Sequence, residues 1–471
     1  MLIGRKNEQQ TLLDALKSDE SEFIAVYGRR RVGKTYLIRE TFNYHFAFEH
    51  SGLLDAPLAE QLEEFMESLY SAGMPESECP KSWREAFRLL QRLLEKNQSG
   101  EKKVIFLDEL PWMDTPRSNF IRALDHFWNS WATRRKDIVL IVCGSATSWI
   151  ISNIVASYGG LHNRVTRQIW LRQFTLHECE LYCRSRNLEL SRKSILEGYM
   201  AMGGVPYYWR FLKTGMSLSQ NFDRMFFSEG GEMTHEYEAL YASLFRFPEK
   251  HIAIVRALAG KKGGMQRDEL LNAAGLSDNS GFSTALSELE QCGFIRHYTM
   301  LGNRKKGAVW QLMDSYTLFY FRFIAEDSIH SWSAEAGTSV RNVWSGLAFE
   351  RVCLQHLPQI CRALGFSGVI NTAHSWAYRP KDGDEKGVQI DLLIDRNDDV
   401  INLCEMKYSG AKYSISAAED ERLRERKSTF VRLSGTGKTV HITMITPYGL
   451  APGSYNDDVQ SQVTMDDLFS D

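Results

Sequence analysis

GRRRVGKT, residues 28–35, fits the pattern G-x-x-x-x-G-K-[ST]. The apolar run 23–28 leads into it and predicts a buried strand, and a helical pattern follows it. Glycines let the backbone wrap around phosphate groups, while backbone N–H groups and a helix N-terminus supply positive potential. A chance glycine-rich turn would lack this strand and helix. The stretch therefore predicts a phosphate-binding loop, or P-loop.

The P-loop predicts roles for its side chains and for a second strand end. Lys34 is expected to reach the β and γ phosphates of ATP, and Thr35 to bind Mg²⁺ through its hydroxyl. The apolar strand 104–108 ends in Asp108, expected to hold Mg²⁺ through water, and is followed by Glu109, expected to polarise the attacking water. The alternative is a strand that ends in solvated acids. The predicted nucleotide contacts in the loop are Gly28, Arg29, Arg30, Arg31, Val32, Gly33, Lys34, Thr35 and Tyr36.

Two further positions are candidates for sensing the γ-phosphate. Ser145 follows the apolar strand 138–143, where a polar side chain can reach the nucleotide; a plain strand-end turn is the alternative. Arg164 and Arg167 follow Gly159-Gly160, and either can act as an arginine finger or lie solvated on the surface. A finger acting in trans implies a homo-oligomer, whereas a sensor acting in cis does not.

Composition and patterning predict a multidomain globular protein. The 471 residues are 43% hydrophobic and 24% charged, with net charge −3, which argues against disorder and leaves room for a local basic surface. Strands that alternate with the helical stretches 58–72 and 82–97 predict a parallel sheet with helices on both faces. Eight cysteines without a C-x-x-C pair and without a signal peptide favour the cytoplasm, and no apolar run predicts a membrane span.

The middle of the chain has the element order of a winged helix-turn-helix. Three short helices at 248–259, 266–274 and 281–292 precede a hairpin, 294–298 and 308–312. Residues 245–312 contain ten Lys and Arg against six Asp and Glu. DNA phosphates are the predicted partner of the wing tip, and a structural brace is the alternative for this region. The predicted tip residues are Arg304, Lys305 and Lys306.

Charged residues converge in the last third of the chain. Asp391 lies in the β run 388–395, Glu405 lies in the run 399–406, and Lys407 follows at the i,i+2 position. Glu350, on a helix upstream, is placed to complete a Mg²⁺ site that activates water for phosphodiester hydrolysis. The alternative is a half-buried strand pair with solvated charges. From residue 454 onward the chain is acidic and is predicted to fray.

The first two thirds of the chain resemble the archaeal-type AAA+/STAND ATPases. The resemblance covers about residues 1–330 and rests on the P-loop, Leu-Asp-Glu at 107–109, Gly-Ser-Ala at 144–146, Ile3–Glu8 and Gly-Gly-Val-Pro-Tyr at 203–207. It implies that the segment with Gly4 and Arg5 lies near the adenine. It also implies that Arg164 matches the arginine before the fifth core strand, and that the Gly-Gly-Val-Pro stretch begins a helical lid.

Residues 340–447 resemble the PD-(D/E)XK nucleases. The resemblance implies Glu350, Asp391, Glu405 and Lys407 as the active set. The Pro-Asp dipeptide of that pattern is replaced by Ile390-Asp391. A nuclease fold that has lost its activity is an alternative, against which the intact Lys407 argues.

These patterns predict an α/β chain of four segments. They are a P-loop NTPase domain (1–215), a helical lid with the winged helix (216–335), a small restriction-endonuclease-like domain (336–453) and an acidic tail (454–471). The predicted function is an ATP-regulated, Mg²⁺-dependent DNA endonuclease. A nucleotide switch or DNA-binding scaffold without cleavage is the alternative, and nothing in the sequence specifies a motor that moves on DNA.

Overall fold

The computed structural model of the protein describes residues 2–96, 100–156, 161, 163–298, 308–325, 329–378 and 387–471. By its internal contacts the chain divides into two units, Met1–Gln173 and Phe174–Asp471. No helix in the described ranges combines the length and the apolar character that a membrane crossing requires.

A five-stranded parallel sheet forms the centre of the first unit, in the order β2-β3-β4-β1-β5. β1, β3 and β4 occupy the three predicted apolar runs, and every residue of β3 and β4 is buried. β2 and β5 were not predicted, since each is only four residues long and partly polar. The strands are β1 (Glu22–Tyr27), β2 (Phe48–Ser51), β3 (Lys103–Asp108), β4 (Ile138–Gly144) and β5 (Arg167–Trp170).

Helices cover both faces of this sheet, which confirms the predicted α/β arrangement. On one face α3, α4 and α6 bury a core that includes Phe65, Trp83 and Phe127. On the other face α1 and α2 contribute Leu12, Leu37 and Ile38. The helices of this unit are α1 (Lys6–Leu16), α2 (Lys34–Thr41), α3 (Leu58–Ser71), α4 (Trp83–Lys96), α5 (Leu110–Met113), α6 (Phe120–Ser130) and α7 (Thr147–Ile150).

The second unit begins with helices that the sequence prediction assigned to the ATPase domain ending at residue 215. α9 packs instead against α16 and α17, farther along the chain, which explains why the units divide at Gln173. The helices from this point to the middle region are α8 (Leu176–Ser185), α9 (Arg192–Met202), α10 (Pro206–Trp209), α11 (Leu218–Phe222) and α12 (Glu236–Leu244); α16 (Ser315–Phe319) and α17 (Ser339–Gln355) follow that region.

The middle region contains three helices and a small antiparallel sheet. Strand β6 pairs with β8, which pairs with β7, so the sheet has one strand more than the predicted hairpin. The predicted wing-tip residues Arg304, Lys305 and Lys306 lie outside the described residues. The elements are α13 (Glu249–Ala259), β6 (Met265–Gln266), α14 (Arg267–Ala274), α15 (Ser280–Gln291), β7 (Ile295–Tyr298) and β8 (Val309–Leu312).

The C-terminal part of the second unit is built on a mixed five-stranded sheet, in the order β13-β12-β11-β10-β9. Strands β9, β10 and β11 form an antiparallel meander, and β12 returns parallel to β11 after helix α19. The elements after α17 are α18 (Leu357–Ala363), β9 (Asn371–Tyr378), β10 (Val388–Arg396), β11 (Val400–Met406), α19 (Ala417–Ser434), β12 (Thr439–Ile445), β13 (Val459–Val463) and α20 (Met465–Leu468).

The prediction of a frayed acidic tail from residue 454 is wrong. Residues 459–463 form β13, which pairs in parallel with β12. In the following turn of helix, Leu468 is fully buried and Asp466 bonds to Arg192 at 2.9 Å. The acidic side chains therefore lie on the surface of an ordered edge strand and helix.

Candidate functional site

The P-loop has a backbone that few residues other than glycine can adopt. Gly28 has φ 146° and Gly33 has φ 92°, and α2 begins at the next residue. A Cβ atom on Gly28 would lie 2.3 Å from the carbonyl oxygen of Leu171, which follows β5. The loop therefore passes too close to its neighbour for any side chain at this position.

We expect Gly28→Ala to lower the free energy of unfolding by about 1–3 kcal/mol and to weaken ATP binding, because the added methyl group forces the loop away from Leu171. Thermal unfolding and nucleotide titration measure the two effects. The matched control is Gly437→Ala, because a Cβ atom there meets nothing within 4 Å. Equal stability of the two variants would contradict the prediction.

Lys34 and Thr35 lie at the first turn of α2, where the motif places them. The Lys34 ammonium is buried and donates to the carbonyl oxygens of Gly28 and Arg29, at 2.9 and 3.1 Å. The Thr35 hydroxyl donates at 2.8 Å to Oδ2 of Asp108, the last residue of β3. The lysine thus spans the loop that would surround the phosphates, and the threonine shares its hydroxyl with the predicted metal-holding acid.

The acids after β3 are held by specific donors. Cys143, in β4, lies 2.7 Å from Oδ1 of Asp108. Burial raises the pKa of the Cys143 thiol well above its ordinary value, so the thiol stays protonated and donates to the carboxylate. Glu109 accepts from both the backbone N–H and the hydroxyl of Ser145, each at 3.0 Å. The predicted hydrolytic acid and the predicted γ-phosphate sensor are therefore in direct contact.

These groups fit ATP and Mg²⁺. A loop of backbone N–H groups ends at a helix N-terminus beside a buried lysine, which suits a polyphosphate. A threonine hydroxyl beside an aspartate supplies the hard oxygen ligands that Mg²⁺ prefers. Tyr36, by contrast, is 46% exposed on the outer side of α2.

The other candidates of the first unit have different surroundings. Gly4 and Arg5 have positive φ angles ahead of α1, and Nη2 of Arg5 donates to the carbonyl oxygen of Arg172 at 2.6 Å. Arg164 is exposed. Arg167 forms an ion pair with Glu22 at 3.1 Å, which ties β5 to β1 and favours a structural role over that of a finger.

The turn predicted to begin the lid, Gly203–Tyr207, lies after α9. A Cβ atom on Gly204 would lie 1.9 Å from the carbonyl oxygen of Phe174, and the Trp209 indole donates to Gly203 at 2.7 Å. This turn is therefore packed against the start of the second unit.

In the C-terminal sheet, Glu405 and Lys407 form one charged pair. Lys407 Nζ lies 2.9 Å from Glu405 Oε1 and 3.5 Å from Glu419, and Arg426 bonds to the other oxygen of Glu405. Burial by itself raises the pKa of Glu405, but the adjacent Arg426 and Lys407 outweigh burial and lower it. Glu405 is therefore an ionised carboxylate with two cationic partners.

Glu350 and Asp391 each have a polar partner of their own. Lys262, which precedes β6, binds Oε1 of Glu350 at 2.6 Å, and Gln389 donates to Asp391 at 2.7 Å. Burial, followed by the nearby negative charge of Asp391, raises the pKa of Glu350 to about 7. In the part of the chain that the structure describes, no three acids, histidines or cysteines form a group able to hold a metal ion.

The predicted four-residue set is therefore not assembled in this arrangement, and its residues do not fit a Mg²⁺ ion as they stand. The sequence prediction also missed Lys262 and Arg426, which hold the acids. For Arg426 a signal existed, because it shares the helical spacing of Leu423 and Phe430, which are buried on α19. For Lys262 the only signal is its place beside Gly263-Gly264, which separate the helices predicted at 248–259 and 266–274.

The middle region presents a polar helix face. Ser283, Thr284 and Ser287 on α15 are exposed. Asn279 caps this helix by accepting from the Phe282 N–H at 3.0 Å. The hydroxyl of Ser283 accepts from Arg267 at 2.9 Å, so a cation accompanies this face.

Comparison with known families matches residues 2–210 to an ATPase domain found predominantly in Archaea. An uncharacterized protein of Methanocaldococcus jannaschii, MJECL04, is 24% identical over 427 residues, which cover 88% of each chain. Two solved structures align with 68% of this chain. The Walker-type ATPase PABY2304 of Pyrococcus abyssi has 17% identity, 96% coverage of its own chain and a TM-score of 0.47. The ORC2 protein of Aeropyrum pernix has 16% identity, 93% coverage of its own chain and a TM-score of 0.43.

Proposed function

We propose that ATP binding and hydrolysis in residues 2–210, which match an ATPase domain found predominantly in Archaea, regulate a DNA-cleaving domain at residues 336–453. The winged-helix region, within residues 216–335, contacts the DNA. The contact between Glu109 and Ser145 supports the first half of this proposal, the hydrolysis of ATP. The pairing of Glu405, on β11, with Lys407, which follows that strand, supports the second half.

Five residues have separate roles in ATP hydrolysis. Lys34 releases the loop carbonyls and binds the terminal phosphates. Thr35 and Asp108 hold Mg²⁺, which supplies charge neutralisation at the phosphates when it is bound. Ser145 exchanges its bond to Glu109 for one to the γ-phosphate, which frees the carboxylate to orient the attacking water. The Glu109–Ser145 contact thus keeps the acid inactive until nucleotide arrives.

The remaining contacts of the nucleotide follow from the loop and its surroundings. Residues 28–35 surround the phosphates, and the segment with Gly4 and Arg5 lies near the adenine. The exposure of Arg164 suits a finger that acts on the nucleotide of a neighbouring copy, which makes the working form a homo-oligomer.

The topology of residues 339–445 supports nuclease chemistry. A helix, a three-stranded antiparallel meander, a second helix and a strand parallel to the third follow in the order expected for a restriction-endonuclease-like core. Asp391 lies on the middle strand of the meander, and Glu405 and Lys407 lie at the end of the third. The acid of α17, Glu350, comes from the helix that precedes them.

The test is cleavage of plasmid and linear DNA in Mg²⁺ or Mn²⁺, with and without ATP. Wild-type protein is expected to cut, and Lys34→Ala is expected to lose the ATP dependence, because its loop no longer holds phosphates. Lys17→Ala is the matched control, since this lysine is exposed after α1. Cleavage with the same ATP response in wild type and Lys34→Ala would refute regulation by this site.

A second function has one specific observation in its favour. Each candidate acid of the C-terminal domain except Asp391 is paired with a lysine or arginine, and the three acids are not gathered. A nucleotide switch that binds DNA without cutting it suits such a site. ATP-dependent DNA binding without cleavage in either metal would favour this function over the endonuclease.

A further inference from the structure

A groove lies between α4 and α6, on the face of the first sheet opposite α1 and α2. Its volume is about 190 Å³. Phe87 from α4 and Phe127 from α6 stack with 5.2 Å between their ring centroids, and both are almost fully buried at the floor of the groove. The P-loop leads into α2 on the other face, so this groove is separate from the nucleotide site.

The groove is lined by hydrogen-bond donors and, among the described residues, by no acid. Arg84 and Arg88 lie one helical turn apart on α4, and Gln91 follows on the same face. His126 and Ser130 face them from α6 with the same four-residue spacing. Donors from both helices therefore point at one space, where an anion would be their natural ligand.

The two arginines of the groove have no partner of opposite charge. Neither guanidinium forms an ion pair or a hydrogen bond with a described residue, and both side chains are exposed. The nearby acids of α4 have other partners, since Glu95 accepts from the Trp131 indole at 2.7 Å and Glu85 accepts from the Lys81 backbone N–H at 2.8 Å. The groove thus keeps a positive potential that an anion can neutralise.

Further exposed arginines continue both walls of the groove. Arg92 follows Arg88 by four residues on α4, and Arg122 precedes His126 by four residues on α6. Four residues advance a helix by about 6 Å, so these groups form a row along each wall. A row of cations fits a polyanion with regularly spaced charges better than it fits one small anion.

We propose that the groove between α4 and α6 binds the phosphate backbone of single-stranded DNA. Proteins that hold single strands without reading their sequence do so with a positively charged groove that follows the backbone. Guanidinium groups bind phosphate oxygens in pairs, which suits the arginines of α4. A cavity of this volume admits one strand and not a duplex, for which the proposed function uses the winged-helix region. The choice of DNA as the polyanion rests on the proposed function.

The test measures the fluorescence anisotropy of a short fluorescein-labelled oligothymidylate, titrated with the full chain at several salt concentrations and without nucleotide. Arg84→Gln combined with Arg88→Gln is expected to weaken binding at least about tenfold. It is also expected to lower the slope of log affinity against log salt by about 1.4, because two phosphate contacts are lost. Both side chains are exposed, so this variant is expected to fold, and thermal unfolding checks that it does.

Lys17→Gln combined with Arg184→Gln is the matched control, because it removes two positive charges from exposed side chains outside the groove. It is expected to bind the oligothymidylate as wild type does. Arg84→Lys combined with Arg88→Lys keeps both charges and is expected to keep most of the salt dependence. If the double glutamine variant does not fold, Arg88→Gln alone is expected to lower the slope by about 0.7.

The outcomes separate this inference from the proposed function. Unchanged affinity and salt slope of the folded double glutamine variant overturn the inference, even if wild type cuts DNA. Failure of wild type to bind the oligothymidylate overturns it as well. A loss confined to the groove variant, together with no DNA cleavage by wild type, supports the inference and refutes the endonuclease.

Two further outcomes would assign the effect to another cause. An equal loss in the control with Lys17→Gln and Arg184→Gln overturns the inference, because the total charge of the chain would then explain the result. A labelled oligoglutamate serves as the second probe. If its binding depends on Arg84 and Arg88 while oligothymidylate binding does not, the groove takes an acidic protein and the inference is overturned.

Discussion

Glu109→Gln is expected to lower the kcat of ATP hydrolysis at least about 100-fold, or about 2.7 kcal/mol of activation free energy, while ATP still binds. The glutamine keeps the size of the side chain and can still accept from Ser145, so the geometry after β3 is preserved. It cannot orient and polarise water as a carboxylate does. Phosphate release under saturating ATP measures kcat, and a fluorescent nucleotide measures affinity.

The matched control for this prediction is Glu60→Gln, which makes the same chemical change at an exposed position on α3. It is expected to hydrolyse ATP at the wild-type rate. A Glu109→Gln variant that hydrolyses ATP within a few-fold of wild type would remove Glu109 from the proposed hydrolytic residues, and the contact with Ser145 would then have a structural role.

Glu405→Gln is expected to reduce DNA cleavage more than about 100-fold and to leave DNA binding unchanged. The change removes the charge that holds Lys407 at 2.9 Å and that Arg426 binds on the other side. Two cations would then lie side by side without their shared acid, so Lys407 would leave its position. Gel-shift binding and plasmid nicking, measured on the same preparation, separate recognition from cleavage.

Stability must be measured alongside, because Glu405 is only 15% exposed and the loss of its partly buried ion pairs is expected to destabilise the fold. The control Glu425→Gln removes an exposed acid from the same helix that carries Arg426. Cleavage retained by a folded Glu405→Gln variant would count against the nuclease. Lys407→Met provides an independent check, since it removes the ammonium and keeps Glu405 paired with Arg426.

The central sheet of the first unit could be predicted because its main strands are continuous apolar runs, buried on both faces. Residues 138–144 in β4 are all buried, and such runs are typical of parallel sheets. Strand β2 escaped prediction because Glu49, His50 and Ser51 make up most of it. Its pairing with β3 comes from tertiary packing and leaves little local signal.

The C-terminal strand β13 was even harder to predict from local sequence. Exposed and buried residues alternate along Val459–Val463, as they do in an edge strand, but acidic neighbours conceal the pattern. An excess of acidic residues predicts a solvated tail on composition alone. The strand forms because β12 presents an open edge, and no local pattern around residue 460 reports that edge.

The candidate sites divide in a similar way. Lys34, Thr35 and Asp108 could be placed together because one motif and one strand end define them. The partners of the C-terminal acids could not, because Lys262 and Glu350 come from elements far apart in sequence, whose packing decides which charges meet. A hypothesis drawn from the acids alone could therefore say nothing about the cations that contact them.

The close approach of Gly28 to Leu171 has a mechanical consequence. Leu171 also donates to the Tyr27 carbonyl at 2.8 Å, and Arg5 binds the carbonyl of Arg172 at 2.6 Å, so both residues are fixed to the nucleotide site. Gln173, where the first unit ends, comes next. Any displacement of the loop by a bound nucleotide pulls directly on the chain that leads into the second unit.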